Sequence, residues 1–254
     1  MDGADGWDTY AAFYDWENAQ TVQRRDVAFW QRLAAAADGD VLELGCGTGR
    51  ISLPVAKRGV SLTGIDRSAP MLARAQTRAR RARIERRVRL VRGDIRVLPF
   101  RPRRFGLVMA PYGILQSLTR ERDLADALAS VARVLGKGGR FGIDLVPDLP
   151  QWEEYRARTT LAGRLGRDTQ VSLVESVRQD RARRLTIFDQ LYTTVRNGAK
   201  REHRFSLTFR TLSVPQMVKR LERAGFAVEA VLGDYRGGPW DARADVWVVL
   251  ARKR

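Results

Sequence analysis

The chain has 254 residues, with 46 Lys and Arg against 29 Asp and Glu, so its formal net charge is +17 with His203 neutral. One cysteine excludes a disulfide framework and a cysteine-cluster zinc site, and one histidine argues against a multi-histidine metal centre. No run approaches the ~18 apolar residues of a membrane-spanning helix, and the acidic first residues lack the apolar stretch of a signal peptide. We expect a soluble cytoplasmic protein with one large domain, or one domain carrying an insertion.

Arginine dominates the positive charge, because only five of the basic residues are lysines and 41 are arginines. Thirteen arginines fall between Arg74 and Arg104, against the two acids Glu85 and Asp94. Such a segment is either a phosphate-binding stripe or a solvated helix face followed by a polar loop. A high ratio of arginine to lysine beside abundant alanine is also typical of a GC-rich coding bias, which favours the solvated face.

Helices and strands are predicted in a regular alternation over the first two thirds of the chain. The segment 1–38 is predicted to be helical, because aromatic residues recur near the 3.6-residue period. Strands and helices separated in this way indicate βαβ units and a parallel sheet covered by helices. The predicted strands are 41–44, 60–65, 88–91, 105–110 and 140–146, and the predicted helices are 50–58, 69–83 and 121–135, the last ended by glycines at 136–139.

The pattern changes after Pro147 to strands in succession. Three strands are predicted at 171–177, 185–195 and 201–212, with a turn at Asn197-Gly198. His203 is expected to be exposed on a polar edge of the last of these strands. A helix at 214–224 and strands at 226–232 and 245–251 close the chain.

These elements predict an α/β protein with a Rossmann-like, doubly wound, mostly parallel seven-stranded sheet and an antiparallel β insertion. We divide the chain into a helical N-terminal cap (1–38), a core (39–147 and 213–254) and the insertion (148–212). The insertion is expected to serve as a substrate or lid region, or as an interface. The cap carries seven aromatic rings in its first thirty residues, so one face of it is expected to pack on the domain and cover a bound ligand.

A glycine-rich turn follows the first strand and opens a helix. It reads Glu43-Leu44-Gly45-Cys46-Gly47-Thr48-Gly49, and its glycines permit a tight turn and close approach of backbone to a ligand. Asp66 ends the second strand, 21 residues after Gly45, where a carboxylate suits ribose hydroxyls. Because Asp94 follows the third strand and the fourth strand ends at Ala110, these residues are expected at one sheet edge, where ligands bind in such folds.

The segments VLELGCGTGR, TGIDRSAPML, VRGDIRVLPF and FGLVMAPYGILQSL resemble the successive motifs of class I S-adenosylmethionine-dependent methyltransferases. The resemblance covers about Tyr10 to Lys253. With its helical cap and late β insertion, the chain is similar to small-molecule members that methylate amines or sugars. The resemblance implies S-adenosylmethionine as cofactor, and no metal is expected because no acidic triplet suggests a metal site.

The resemblance also implies a role for each matching residue. The glycine turn would wrap the methionine and ribose portion, with Cys46 otherwise a small buried filler. Asp66 would take the ribose hydroxyls, or else cap the next helix. The full set implied to bind the cofactor is Tyr14, Gly45, Cys46, Gly47, Gly49, Asp66, Arg67, Met71, Asp94, Ile95 and Ala110.

The remaining roles fall to residues near the ends of the second, third and fourth strands. Arg67 and Met71 would flank the adenine, although Met71 also fits ordinary helix core. Asp94 would bind the adenine amine and Ile95 would contact the adenine face. Ala110 would lie beside the methionine tail. The resemblance implies that Tyr14 closes over the sulfonium as the catalytic residue; the alternative is a plain aromatic of an amphipathic helix.

The reaction expected is in-line methyl transfer to an N or O acceptor on a small molecule, with an amine favoured because no general base is evident. The main alternative is an RNA or protein methyltransferase using the basic surface. Nucleic acid is not favoured, because Met109-Ala110-Pro111-Tyr112 lacks the Asn or Asp that base-amine methyltransferases carry there. A noncatalytic cofactor-binding module stays open, whereas a nicotinamide dehydrogenase would need G-x-G-x-x-G. No membrane partner is expected, and the protein is expected to be a monomer or homodimer.

Overall fold

A computed structural model describes residues 7–21, 26–146, 154–241, 243–244 and 246–254. Contacts between residues divide the chain into two compact units. One unit holds residues 1–23 and 149–211, and the other holds residues 24–148 and 212–254. No helix among the described residues is long and apolar enough to cross a membrane.

Six α-helices and eleven strands are present in the described residues. The helices are α1 (Trp7–Thr21), α2 (Val27–Ala35), α3 (Ser52–Lys57), α4 (Ala69–Arg81), α5 (Glu121–Val134) and α6 (Val214–Arg223). The strands are β1 (Asp40–Leu44), β2 (Leu62–Asp66), β3 (Val88–Arg92), β4 (Phe105–Ala110), β5 (Leu135–Leu145), β6 (Tyr155–Leu165), β7 (Thr169–Asp180), β8 (Leu185–Arg196), β9 (Ala199–Arg210), β10 (Phe226–Leu232) and β11 (Trp247–Lys253).

The larger unit is built on a seven-stranded sheet of order β10-β11-β5-β4-β1-β2-β3. The pairs from β5 to β3 are parallel, and β11 runs antiparallel to both of its neighbours. Residues from β1 and β4, such as Leu42 and Val108, are fully buried, as expected for a parallel sheet covered on both faces. The predicted fold class is confirmed. The order reverses between β1 and β4, and ligands bind in such sheets at the carboxyl ends beside this switch point.

Local sequence signals fix where the helices of this unit begin. Ser68 caps α4 by accepting a hydrogen bond from the Met71 backbone N–H, and a proline follows at the first turn. Ser213 and Gln216 form a reciprocal capping box at the start of α6. The buried face of α4 is made by Met71, Ala75 and Ala79, so most of its arginines lie on the solvated face.

The smaller unit is a four-stranded antiparallel sheet, β6-β7-β8-β9, with α1 packed on it. Phe13 stacks on Tyr192 of β8 with ring centroids 4.3 Å apart and lies 5.9 Å from Phe205 of β9. Asn197 and Gly198 both have positive φ, at 50° and 78°, which gives the two-residue turn predicted between β8 and β9.

Three sequence predictions differ from the structure. The insertion has a fourth strand, β6, which the sequence analysis missed because eight of its eleven residues are exposed and it carries no alternation. His203 is half-buried, not exposed, because its ring lies 5.1 Å from Phe13. The glycines 136–139, predicted as a helix cap ahead of the strand, lie within β5 as an irregularity opposite Gly106.

The predicted cap 1–38 contributes to both units. Helix α1 belongs with the four-stranded sheet, whereas α2 belongs with the seven-stranded one. Trp30 of α2 is fully buried beside Gly142 of β5. The functional roles assigned to the cap and to the insertion stay predictions.

Candidate active site

The glycine turn connects β1 to α3 in a conformation that only small residues adopt easily. Gly45, Gly47 and Gly49 have φ of 61°, 51° and 82°, in the left-handed region that suits glycine. The turn is held on β2, because the Cys46 N–H donates to the Ile65 carbonyl at 3.1 Å. It is also closed on itself by the Gly49 N–H, which donates to the Cys46 carbonyl at 2.8 Å.

Asp66 lies at the carboxyl end of β2, beside this turn. Its Oδ2 accepts a hydrogen bond from the Gly47 N–H at 2.8 Å, and its Oδ1 accepts one from the Ser68 N–H at 2.9 Å. The structure therefore joins Asp66 to the glycine turn through one atom and to the start of α4 through the other. These two backbone N–H groups hold the carboxylate at the strand end where the sequence analysis expected the ribose hydroxyls.

Cys46 and Met71 are both buried. A Cβ added to Gly64 would lie 2.8 Å from Cys46 Sγ, so the cysteine fills the space above a bare backbone. Burial raises the pKa of the Cys46 thiol well above its usual value, and the nearby Glu43 charge adds to that shift. A thiol held neutral in this way is a poor nucleophile. The side chain of Met71 is 2 % exposed, which agrees with its reading as helix core.

Asp94 follows β3 and is bound mainly by Arg96. The guanidinium donates to Oδ2 at 2.7 Å and to Oδ1 at 3.0 Å, and it also reaches Asp123 at 3.0 Å. Partial burial alone would raise the pKa of Asp94, but the hydrogen bonds and charge of Arg96 outweigh it and hold that pKa below its usual value. Arg67 lies 3.9 Å from the same carboxylate. Ile95 is buried beside them.

The fourth strand ends at Ala110, which is fully buried, and the next residues are unusual. Tyr112 and Gly113 both have positive φ, at 61° and 62°. For tyrosine this conformation is costly, and such backbone strain clusters at functional sites. The Tyr112 side chain is 45 % exposed, and the Arg50 guanidinium lies over its ring, 5.0 Å from the centroid.

A buried carboxylate, which the sequence analysis missed, holds this segment. Asp144 at the end of β5 accepts hydrogen bonds from the Gly113 N–H at 2.8 Å and from the Tyr235 hydroxyl at 2.7 Å. Burial raises the pKa of Asp144 to about 6, against the opposing effect of these two hydrogen bonds. Its signal in the sequence is one acid within the apolar run from Phe141 to Leu145.

A buried ion pair with Asp26 holds Arg50 in place. Asp26, at the start of α2, receives two hydrogen bonds from the Arg50 guanidinium, at 2.8 and 2.7 Å. Close by, Ser52 donates a short hydrogen bond to Glu43. Burial raises the pKa of Glu43 to about 8, although the Ser52 hydrogen bond and the Arg50 charge oppose the shift.

Tyr14, the predicted catalytic residue, lies on α1 in the smaller unit. Its ring meets that of Tyr10 edge to face, with centroids 6.0 Å apart, and its carbonyl accepts a hydrogen bond from Asn18 at 2.8 Å. The other predicted site residues lie at or beside the carboxyl ends of β1 to β4 in the larger unit.

The residues at this edge fit an S-adenosyl group by their chemistry. The three glycines in the left-handed region carry no side chains, Asp66 supplies a carboxylate of the kind that suits hydroxyls, and the buried Ile95 is apolar. Among the described residues, no group of three or more His, Cys, Asp or Glu is arranged to hold a metal ion.

Comparison with known proteins identifies a methyltransferase domain in the larger part of the sheet. A family model for a methyltransferase domain matches residues 41–139, which run from β1 through the glycine segment of β5. The cypemycin N-terminal methyltransferase of a Streptomyces species is 27% identical over 242 residues, covering 94% of each chain. Residues 41–139 form a methyltransferase domain, and the chain is an S-adenosylmethionine-dependent methyltransferase.

Solved structures show the same fold as this methyltransferase over nearly its whole length. The CcbJ methyltransferase from Streptomyces caelestis superimposes with a TM-score of 0.81 at 22% identity, covering 100% of this chain and 99% of that one. CalS10 from Micromonospora echinaspora, an amino pentose methyltransferase with S-adenosylmethionine bound, gives 0.70 at 20% identity, covering 95% of each. The methyltransferase uses S-adenosylmethionine, as the sequence analysis predicted.

Proposed function

We propose that this methyltransferase transfers the methyl group of S-adenosylmethionine to an amine nitrogen of a small molecule. The observation that carries the proposal is the hydrogen bonding of the carboxylates at the carboxyl edge of the sheet, which are engaged in holding the chain itself. Asp66, Asp94 and Asp144 each accept hydrogen bonds from the chain itself. A hydroxyl acceptor needs a general base, whereas a neutral amine already carries the attacking lone pair.

Two relatives support an amine in particular. One is named for methylation at the N-terminus of cypemycin, and another for methylation of an amino pentose. Neither the end of β4 nor the single cysteine favours a nucleic-acid base as the methyl acceptor. Ala110 stands where a base-amine enzyme would carry Asn or Asp, and the buried Cys46 thiol is held neutral.

The cofactor supplies an electrophilic methyl group on a sulfonium centre. The chain's part is to position the reactants and exclude water. In this proposal the glycine turn and Asp66 hold the methionine and ribose portion, with Asp94, Ile95, Arg67 and Met71 around the adenine. Ala110 borders the methionine tail, and Tyr14 acts at the methyl transfer.

The test is a mass-spectrometric screen with S-adenosylmethionine carrying a deuterated methyl group. Acceptors are offered in matched pairs that differ only in an amine or a hydroxyl at one position. We expect label on the amine member of a pair, absent when the cofactor is omitted. Label only on hydroxyl members would contradict the proposal. The proposal also places the protein in the cytoplasm as a monomer or homodimer, which cell fractionation and sedimentation test.

A further inference from the structure

A cavity of about 460 Å³ lies at the opposite edge of the seven-stranded sheet from the glycine turn. Its walls include Gly39 before β1, Phe105 and Gly106 at the start of β4, and the glycine segment 136–139 of β5. Strand β1 separates it from the glycine turn, and at about 3.3 Å per residue its five residues span ~15 Å. The cavity is therefore distinct from the site described above.

The charges around this cavity are mainly positive. Five cations line it against the single acid Asp38: Arg103, Arg104, Lys137, Arg140 and Arg252. Arg104 is paired with Asp40 at 3.2 Å, and Arg140 and Arg252 share Glu229.

Arg103 and Lys137 are different from the other three. Both are exposed, and within the described part of the chain neither has a carboxylate at ion-pair distance. A further cation lies beside them, because Lys253 Nζ donates to the Leu135 carbonyl at 2.8 Å. Burial lowers the pKa of Lys253, and the charge of Arg103 lowers it further. The positive charge on this side of the molecule is thus incompletely compensated.

The backbone of the cavity wall is shaped by glycine. Leu135 pairs with Phe105 and Arg140 pairs with Leu107, so residues 136–139 stand opposite Gly106 alone. A Cβ on Gly106 would lie 1.9 Å from the Asp38 carbonyl oxygen, so only glycine allows the loop before β1 to approach β4 this closely. A bulge of this kind turns backbone groups away from the neighbouring strand. The Gly138 carbonyl accepts a hydrogen bond from the Arg252 guanidinium at 3.1 Å, which holds that cation at the cavity wall.

We propose that this cavity binds a small phosphate-bearing molecule, held chiefly by Arg103 and Lys137. The volume falls within the ~300–1,000 Å³ typical of small-molecule pockets. An arginine matches two phosphate oxygens with its planar fork, and a lysine supplies a point charge. A half-open cavity of this volume suits a compact ligand, whereas single-stranded nucleic acid requires an extended basic groove with stacking aromatic rings, and Phe105 is the only aromatic residue among the described residues that line this cavity.

The experiment uses inorganic pyrophosphate as the probe, titrated into the full chain by calorimetry at fixed ionic strength. The test variant is R103Q/K137Q. The matched control is R80Q/R89Q, which removes the same charge from exposed positions on α4 and β3. Thermal melting of both variants checks that they fold.

We expect one pyrophosphate per chain, with affinity reduced about tenfold or more in R103Q/K137Q, since two charge-assisted contacts are lost. The control is expected to bind within about twofold of the wild type, since its charges are remote and screened by salt. Equal weakening in both variants, several ions per chain, or no binding by the wild type would overturn the proposal. Displacement of pyrophosphate by single-stranded RNA, dependent on Arg103 and Lys137, would assign the surface to nucleic acid instead. S-adenosylmethionine binding is measured in parallel and is expected to be unchanged, so the result is independent of the proposed acceptor.

Discussion

Single buried acids set the geometry of the carboxyl edge. Asp144 joins the unusual turn at Gly113 to Tyr235. Tyr235 lies 91 positions after Asp144 in the chain. A buried carboxylate that loses one of its donors retains the full cost of its desolvation. The hydroxyl of Tyr235 therefore contributes more to the free energy of unfolding beside a carboxylate than beside a neutral amide.

This difference predicts the outcome of a double-mutant cycle. We expect Tyr235→Phe to lower the free energy of unfolding by about 1–3 kcal/mol. In an Asp144→Asn background the same change is expected to cost less, because the amide carries no charge to be stabilised. Denaturant unfolding of the four proteins measures the coupling. The same cost in both backgrounds would show that Tyr235 acts through packing alone.

Glu43 predicts a pH effect on stability. Its pKa of about 8 in the folded protein lies above the ordinary 4.5, so the folded state holds this proton more tightly than the unfolded state. The contribution of Glu43 to stability is therefore fully present below pH ~4.5 and is lost as the pH rises through about 8. Glu43→Gln mimics the protonated form and removes this dependence.

The measurement is the melting temperature of wild type and Glu43→Gln between pH 5 and pH 9. The difference, variant minus wild type, is expected to increase with pH up to about 8 and to level off above it. Each pKa unit between folded and unfolded states corresponds to about 1.4 kcal/mol. A difference that is flat across this range would show that Glu43 ionises normally in the folded protein.

Among the secondary-structure elements, those with strong periodic or glycine signals were predictable and those without were not. Strands β4 and β10 have the predicted bounds, and the glycine turn lies where the sequence placed it. Strand β6 was missed because an exposed edge strand needs no apolar alternation. Asp144 was missed as a site residue because its role depends on Gly113 and Tyr235, which are distant in sequence and meet only in the fold.

The catalytic role predicted for Tyr14 can be tested through the behaviour of helix α1. If this helix responds to the cofactor, residues 13–18 should gain protection from hydrogen exchange when S-adenosylmethionine is added, because closure excludes water. Tyr14→Phe is expected to lower turnover and leave cofactor affinity nearly unchanged. Protection at residues 45–49 without any change at 13–18 would refute the role given to α1.

The formal net charge of +17 over the whole molecule raises the question of whether the protein binds nucleic acid. Most of the arginines on α4 line its solvated face, as a compositional origin predicts. RNA binding is then expected to be weak and to fall steeply between about 50 and 200 mM salt. Filter binding against salt concentration measures it. Sequence-selective binding that persists at ~200 mM salt would favour an RNA acceptor.

The cofactor site at the carboxyl edge is the centre of this account, and calorimetry with S-adenosylmethionine tests it most directly. The wild type is expected to bind one molecule in the micromolar range. Asp66→Ala removes charge-assisted hydrogen bonds worth about 1.5–3 kcal/mol and should weaken binding roughly tenfold or more. Asp126→Ala, at an exposed position on α5, should bind like the wild type. Unchanged affinity in a folded Asp66→Ala variant, or tight binding of a nicotinamide dinucleotide in place of S-adenosylmethionine, would contradict the account.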